Sequence, residues 1–243
     1  MTTRREEIVC ADIGDLARKA AAEWVRSADE AIARAGRFAV ALSGGNTPRA
    51  LYAALAGREF RSRIAWDRVH FFWGDERSVP ADHPDSNYRM AYEALLSRVP
   101  APAANIHRIE TERGSAEAAA AYEALLRDFF ALYRGALPRF DLVFLGLGEE
   151  GHAASLFPGS AALEERERLV VAVYVDKLKT DRVTFTLPLL NSAAEVAFLV
   201  SGKSKAAAVK QTLRGGADLP AARVAPLNGR LLWFLDKEAA ALL

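Results

Sequence analysis

Three short apolar runs, each followed at once by a loop rich in glycine or charge, constrain the fold of this 243-residue chain most strongly. The runs cover Phe38–Leu42, Val69–Trp73 and Leu142–Leu145. Each has the length of a strand and is predominantly apolar, which is typical of strands buried on both faces of a sheet. Glycine at the end of a buried strand indicates a place where the backbone turns and can approach a ligand closely.

Helical periodicity fills the intervals between the apolar runs. Over residues 13–35, Leu16, Ala20 and Trp24 recur at helical spacing, and Gly36 marks the end. Strands that alternate with helices predict an α/β fold, with a mostly parallel, Rossmann-like open sheet and helices on both faces, in a single domain over residues 1–243. We further expect helices over 48–57, 85–98 and 115–134, with Pro48 at the first helical position and Asp85 or Ser86 and then Ser115 as N-caps, and strands over 169–175, 183–186, 196–200 and 231–235.

The composition argues against several classes of protein. Lys and Arg number 32 against 31 Asp and Glu, so the net charge of +1 gives no general attraction to nucleic acid or to an anionic membrane. Cys10 is the only cysteine, which excludes an intrachain disulfide and a cysteine-based zinc site. No apolar run has the length of a membrane-spanning helix, and no secretory signal is visible. We expect a cytoplasmic protein, monomeric or weakly oligomeric, with no nucleic-acid or membrane partner.

The first loop, Ser43-Gly-Gly-Asn-Thr-Pro48, has the features of an anion site. Gly44 and Gly45 lie between a strand and a helix start, where backbone N–H groups and the helix dipole favour negative charge. Ser43 and Thr47 add hydroxyl donors. No Gly-Lys-Ser/Thr follows, so ATP is not expected. The alternative is a tight turn in which Thr47 caps the helix.

The second loop begins with Gly74-Asp-Glu-Arg77. An arginine just beyond a strand end can bind a phosphate through two parallel hydrogen bonds. The alternative is a solvated charge run in which Arg77 pairs with a neighbouring carboxylate. Asp75 offers a carboxylate to the same site, and His83 and Asn87 follow in a polar stretch. His83 either lines the site or only occupies the loop.

The third loop, from Gly146 to Pro158, contains two carboxylates and a histidine. Its G-x-G-x-x-G spacing resembles a dinucleotide fingerprint. The two glutamates would oppose a pyrophosphate, however, and Pro158 cuts short the long helix that such a turn requires. The other interpretation makes His152 a general base that takes a proton from water, with Glu150 orienting it or raising its basicity. We favour the general-base interpretation.

Other catalytic schemes lack their residues. The chain has no G-x-S-x-G nucleophile turn and no H-E-x-x-H or similar pair of closely spaced histidines. We therefore expect hydrolysis by activated water, with no metal and no cofactor. Backbone N–H groups over residues 148–151 are candidates for stabilising an oxyanion.

At these loops the chain resembles the 6-phosphogluconolactonases, within a wider group of glucosamine-6-phosphate deaminase-like and ribose-5-phosphate isomerase/CoA transferase-like folds. The resemblance covers nearly the whole chain. Its first motif is shared with the deaminases, whereas the second motif and the Ser-Leu-Phe-Pro ending of the third are typical of the lactonases. The matching motifs are Leu-Ser-Gly-Gly-Asn-Thr-Pro48, Gly-Asp-Glu-Arg-Ser-Val-Pro80, Asp82-His-Pro-Asp-Ser-Asn-Tyr88, Gly-His-Ala-Ala-Ser-Leu-Phe-Pro158, Val200-Ser-Gly-Lys-Ser-Lys205 and the segment 226–236.

The resemblance implies hydrolysis of 6-phospho-D-glucono-1,5-lactone to 6-phospho-D-gluconate in the oxidative pentose phosphate pathway. By motif position, it assigns phosphate contacts to the Ser43–Thr47 loop, to Arg77 and to Lys205, and the general base to His152. The family usually has Asp-Gly-His where this chain has Glu150-Gly-His152, and it usually has Thr at Ala153.

Two alternatives remain open from the sequence. A sugar-phosphate isomerase or deaminase on the same scaffold would use a carboxylate such as Asp75 for enolisation. A non-catalytic sugar-phosphate sensor would keep the pocket and lose the base. The presence of His152, and the absence of any visible DNA-binding or partner module, favour an enzyme.

Overall fold

Two sheets organise the molecule, which a computed structural model describes over residues 4–215 and 218–243. The strands are β1 (Arg4–Cys10), β2 (Phe38–Leu42), β3 (Val69–Trp73), β4 (Asp75–Arg77), β5 (Leu142–Leu145), β6 (Val170–Val175), β7 (Thr180–Phe185), β8 (Glu195–Val200) and β9 (Arg230–Asp236). The α-helices are α1 (Ile13–Ala35), α2 (Asn46–Leu55), α3 (Asn87–Ala94), α4 (Ser115–Phe129), α5 (Leu187–Ser192) and α6 (Ala206–Arg214).

The larger sheet is parallel throughout, with the order β1-β9-β8-β5-β2-β3. The chain leaves β2 toward one edge and leaves β5 toward the other, so the sheet reverses its order between these two neighbours. In open α/β sheets, ligands bind beyond the carboxyl ends of the strands at such a reversal. The prediction of an α/β fold with a mostly parallel open sheet is confirmed.

The smaller sheet was not predicted. Its order is β4-β7-β6 and its pairs are antiparallel. The strands expected over 169–175 and 183–186 exist, but they pair with each other and with β4 rather than joining the parallel sheet. Gly74 joins the two sheets, since its N–H donates to Leu42 and its carbonyl accepts from Phe185.

Buried side chains from both sheets belong to one apolar cluster. Within it, Trp24 of α1 stacks on Phe144 of β5 and meets the edge of Phe38 of β2. This shared core supports one folding unit, and the single domain over 1–243 remains a prediction. In the described part of the chain, no helix combines the length and apolarity needed to cross a membrane.

Several element boundaries differ from those predicted. Gly45 is the N-cap of α2, so Pro48 is its third residue rather than its first. Gly114, not Ser115, precedes α4, which ends at Phe129 because Ala131 adopts a left-handed φ of 50°. Ser86 caps α3, as expected. The highly charged strand β1 was missed altogether.

A network of paired charges lies at the amino end of β8 and β9. Arg230 Nη1 is 2.7 Å from Glu195 Oε2 and 2.6 Å from Glu23 Oε1, and Arg26 also bridges both carboxylates. Burial, together with the nearby charge of Glu23, raises the pKa of Glu195 to about 7. Each arginine of this network therefore has a carboxylate partner.

Candidate active site

The predicted site residues follow the carboxyl ends of β2, β3, β5 and β8, which are neighbours in the parallel sheet. The Ser43–Thr47 loop follows β2, and β4 with Asp75 and Arg77 follows β3. The His152 loop follows β5, and Lys205 follows β8. The sheet order therefore brings these segments to one edge.

The loop after β2 presents unused donors at the start of α2. Gly45 has a φ of 103°, and no side chain caps the helix, so Thr47 does not act as its cap. The N–H groups of Gly44 through Thr47 have no acceptor in the described part of the chain. The hydroxyl of Tyr52 holds the start of the loop by bonding both the N–H and the carbonyl of Ser43. Unsatisfied N–H groups at a helix start form an anion site.

Asp75 and Asn87 form the floor beside this loop. The Asn87 amide donates to the carbonyl of Asp75 at 2.9 Å and to its carboxylate at 3.3 Å. A side chain at Gly44 would overlap the same amide, so glycine is required there. Asn87 Oδ1 is buried and has no donor in the described residues.

Ser155 connects the histidine loop to this floor. Its hydroxyl donates to Asp75 Oδ2 at 2.7 Å, and its N–H donates to Thr184 Oγ1 on β7 at 3.1 Å. All three residues are buried. The carboxylate of Asp75 therefore already accepts hydrogen bonds from two protein groups.

Glu76, which sequence reasoning missed, explains why a charged segment forms a buried strand. Its carboxylate accepts from the N–H groups of Arg77, Asn87 and Tyr88 and from the hydroxyl of Ser86. Burial raises the pKa of Glu76, and these donors oppose the rise. Glu76 thus anchors β4 to the start of α3.

Arg77 lies on the same face of β4 as Asp75, because alternate residues of a strand share a face. Its Nη1 donates to the carbonyl of Asp85, and its buried Nε has no acceptor in the described residues. Among the described residues Arg77 forms no ion pair with a carboxylate, which disfavours the alternative of a solvated charge run. Arg182 of β7 is its cross-strand neighbour and was missed by sequence reasoning.

His152 and Glu150 meet in the loop after β5. Glu150 Oε2 is 3.3 Å from His152 Nδ1, and its other oxygen is 3.3 Å from Nζ of the exposed Lys177. His152 Nδ1 is buried and has no hydrogen-bond partner in the described residues, although the Glu150 carboxylate is near it. The contact is therefore an ion pair when the imidazole is charged. Burial raises the pKa of Glu150, but its own N–H and the charges of His152 and Lys177 outweigh this effect and lower it overall.

Two neighbours fix the imidazole plane. A side chain at Gly148 would overlap the ring, and Phe157 stacks on it with centroids 4.2 Å apart. The N–H of Gly148 donates to the carbonyl of His152, and the N–H of Gly151 donates to the carbonyl of Gly148. Two of the predicted oxyanion donors are therefore used within the loop.

The surroundings of His152 favour its neutral form. Burial lowers the pKa of His152 below its ordinary value, and the charge of Lys205 lowers it further. The carboxylates of Glu150 and Asp75 raise it, but they do not outweigh burial. A neutral imidazole near pH 7 can accept a proton.

Lys205 lies in a short turn before α6. The Asp236 carboxylate accepts from the N–H of Gly202 and the hydroxyl of Ser201, which holds the start of that turn. The ammonium of Lys205 has no ion pair in the described residues.

His83 lies in the loop before α3, where its Nδ1 accepts from the N–H of Asp85. It has no hydrogen bond or ion pair with another predicted site residue in the described part of the chain.

A cleft of about 900 Å³ adjoins the histidine loop. Glu150, Ser155 and Phe157 line one wall, and β6 lines the other, including Tyr174. Ser43, Arg77 and Lys205 do not line it. The free N–H groups of the Ser43–Thr47 loop and the side chains of Arg77 and Lys205 follow the strand ends and do not line this cleft. We therefore place the candidate site at the strand ends. No cluster of three or more potential metal-ligating side chains occurs in the described residues.

Comparisons with known proteins point to the same family as the sequence motifs. The profile of the glucosamine-6-phosphate isomerases/6-phosphogluconolactonase family matches residues 11–233. A 6-phosphogluconolactonase of Nostoc sp. is 45% identical over 217 residues, covering 88% of each chain, and one of Synechocystis sp. is 47% identical over 214 residues, covering 86% of each. The solved 6-phosphogluconolactonase of Trypanosoma brucei superposes with a TM-score of 0.89 at 30% identity, covering 100% of both chains.

Proposed function

The chain belongs to the glucosamine-6-phosphate isomerase/6-phosphogluconolactonase family, and from this premise we propose that His152 is the general base of the reaction it catalyses. That reaction is the hydrolysis of 6-phospho-D-glucono-1,5-lactone to 6-phospho-D-gluconate, in the oxidative pentose phosphate pathway. The observation that carries the assignment of His152 is that its imidazole is held next to the carboxylate of Glu150, in a loop that Ser155 links by a hydrogen bond to Asp75.

The phosphate binds where the strand ends offer donors. The free N–H groups of Gly44 through Thr47 contact its oxygens at the start of α2, and Ser43 and Thr47 supply hydroxyl groups to the same loop. Arg77 supplies a guanidinium and Lys205 a point charge, neither of which has a carboxylate partner in the described residues. Binding the phosphate at this edge positions the lactone carbonyl against the histidine loop.

In the chemical step one proton moves from water to His152 and then from His152 to the ring oxygen of the lactone. Neutral His152 removes a proton from water as the oxygen attacks C1 of the lactone. The bond from C1 to the ring oxygen then breaks, and the imidazolium returns the proton to that oxygen. Glu150 stabilises the imidazolium between the two events, since its carboxylate is 3.3 Å from Nδ1. General base catalysis of this kind contributes about 10²–10⁴-fold.

The proposal is tested by proton release from freshly generated 6-phosphogluconolactone, corrected for spontaneous hydrolysis. The wild-type chain should accelerate release, and His152→Gln should abolish most of the acceleration while 6-phosphogluconate still binds. Full turnover by His152→Gln would remove His152 from the mechanism. No acceleration by the wild-type chain would refute the lactonase activity itself.

The isomerase or deaminase alternative is disfavoured by the state of Asp75. Both carboxylate oxygens of Asp75 are buried and already accept hydrogen bonds, Oδ1 from Asn87 and Oδ2 from Ser155, so neither is free to take a proton from a substrate carbon. We expect no ammonia release from glucosamine 6-phosphate. A non-catalytic sugar-phosphate sensor would bind phosphate but would not accelerate proton release from the lactone.

A cytoplasmic location, a monomeric or weakly oligomeric state, and the absence of a nucleic-acid partner remain predictions. Light scattering during gel filtration measures the oligomeric state directly. A dimer that persists at nanomolar concentration would contradict the second of these predictions.

A further inference from the structure

Arg182 occupies a position that the catalytic scheme above does not use. It pairs across strands with Arg77, in the antiparallel register that also sets Thr184 opposite Asp75. Cross-strand neighbours lie on the same face of a sheet. Arg77 and Arg182 therefore lie side by side on the face that carries Asp75.

That face is turned toward the histidine loop. Ser155 in that loop bonds both Asp75 and Thr184: its hydroxyl donates to the Asp75 carboxylate, and its N–H donates to the Thr184 hydroxyl oxygen. The arginine pair lies two residues farther along the strands, about 7 Å away. A ligand that reaches from the His152 loop along this face meets two guanidinium groups.

Neither guanidinium has a carboxylate partner in the described residues, and the one hydrogen bond that either makes there is from Arg77 Nη1 to the carbonyl of Asp85. The Nε atoms of Arg77 and Arg182 are both buried without an acceptor, and the Arg182 side chain has no hydrogen bond or ion pair in the described residues. The nearby carboxylates are already engaged, Asp75 by Ser155 and Asn87, and Glu76 by backbone N–H groups. A partly buried cation without a partner is costly, and a like charge beside it adds to the cost.

The electrostatics agree with this geometry. Burial lowers the pKa of Arg182, and the charge of Arg77 lowers it further. An anion with two negative charges and several acceptor oxygens would relieve both effects, because planar guanidinium groups bind phosphate through paired hydrogen bonds.

We propose that Arg182 and Arg77 together form a two-arginine phosphate subsite, and that Arg182 makes the enzyme select the phosphorylated lactone over the unphosphorylated one. This inference rests on the proposed function for its substrate. The ligand class, a phosphate dianion, follows from the two guanidinium groups themselves, which have buried Nε atoms without an acceptor and no carboxylate partner in the described residues.

The test uses Arg182→Gln and Arg182→Lys in the full chain. Arg68→Gln is the matched control, because Arg68 is exposed and precedes β3 at the opposite end of the sheet. Charge-assisted hydrogen bonds contribute about 1.5–3 kcal/mol, so Arg182→Gln should raise KM for 6-phosphogluconolactone about 10–100-fold. It should leave kcat/KM for glucono-1,5-lactone unchanged. Arg182→Lys should recover part of the loss, and Arg68→Gln should behave like the wild type.

Inorganic phosphate provides an independent measurement. Its dissociation constant, from calorimetry, should rise in Arg182→Gln by a similar factor. Unchanged phosphate binding and unchanged KM would overturn the inference, as would an equal loss with both lactones. A third outcome is that the wild-type chain hydrolyses no lactone but binds phosphate more tightly than Arg182→Gln does. That result would refute the proposed function and keep the subsite. Circular dichroism and the melting temperature show whether each variant is folded.

Discussion

At the amino end of β8 and β9, Arg26 and Arg230 each bridge the carboxylates of Glu23 and Glu195. At the carboxyl end of the same parallel sheet, Arg77, Arg182 and Lys205 have no carboxylate partner in the described residues. Residues of the same type therefore have opposite surroundings at the two ends. Paired charges hold the chain together, whereas unpaired, partly buried cations indicate where a ligand supplies the missing charge.

The largest effect is expected from His152→Ala at the carboxyl end. Loss of the base should lower kcat about 10²–10⁴-fold, while KM changes little because the phosphate contacts remain. Steady-state kinetics with the lactone measure both constants. The free energy of unfolding should stay close to the wild-type value, and a large loss of stability would mean that His152 is a packing residue.

Arg77→Ala should act on binding. Removing a guanidinium from the phosphate subsite should raise KM about 10–100-fold, since charged hydrogen bonds contribute about 1.5–3 kcal/mol. Its effect on kcat should be smaller. An unchanged KM, measured beside the Arg68→Gln control, would show that Arg77 serves only to bond the carbonyl of Asp85.

Arg230→Met tests the other end. It leaves Glu195 and Glu23 with one arginine fewer, and we expect the free energy of unfolding to fall by about 1–3 kcal/mol. Urea denaturation measures this change. The kinetic constants for the lactone should be unaffected, and a specific loss of kcat/KM without loss of stability would break the contrast between the two ends.

Glu150→Gln should have the smallest effect, which is a shift in the pH dependence of kcat/KM. The carboxylate raises the pKa of His152, so its removal lowers that pKa and moves the acidic limb of the kcat/KM profile to lower pH. A partly exposed pair contributes about 0.2–1 kcal/mol, so the shift should be less than about one pH unit. Glu150→Asp should keep the limb in place. A shift to higher pH would contradict the role of Glu150.

The loops that follow β2 and β5 could be predicted from the sequence, because their signals are local. Glycine and a helix start indicate an anion site, and a histidine among glycines indicates a base. The apolar runs Phe38–Leu42, Val69–Trp73 and Leu142–Leu145 are strands with the predicted bounds.

Other features depend on partners distant in sequence. Asp75–Arg77 reads as a turn, and it is a strand only because β7 pairs with it and Glu76 finds donors at the start of α3. Arg182 becomes a candidate only once that pairing sets it beside Arg77. Edge strand β1 carries four charged residues in its first four positions and resembles a surface segment, although it pairs with β9 along its full length.

The hydrogen bond from Ser155 to Asp75 closes a chain segment of 80 residues. Contacts so distant in sequence carry a large loop-closure entropy and tend to form late in folding. We therefore expect the histidine loop and the floor formed by Asp75 and Asn87 to come together late in folding. During refolding from urea, the return of activity should lag behind the return of helical circular dichroism, so that catalysis itself reports the last stage of folding.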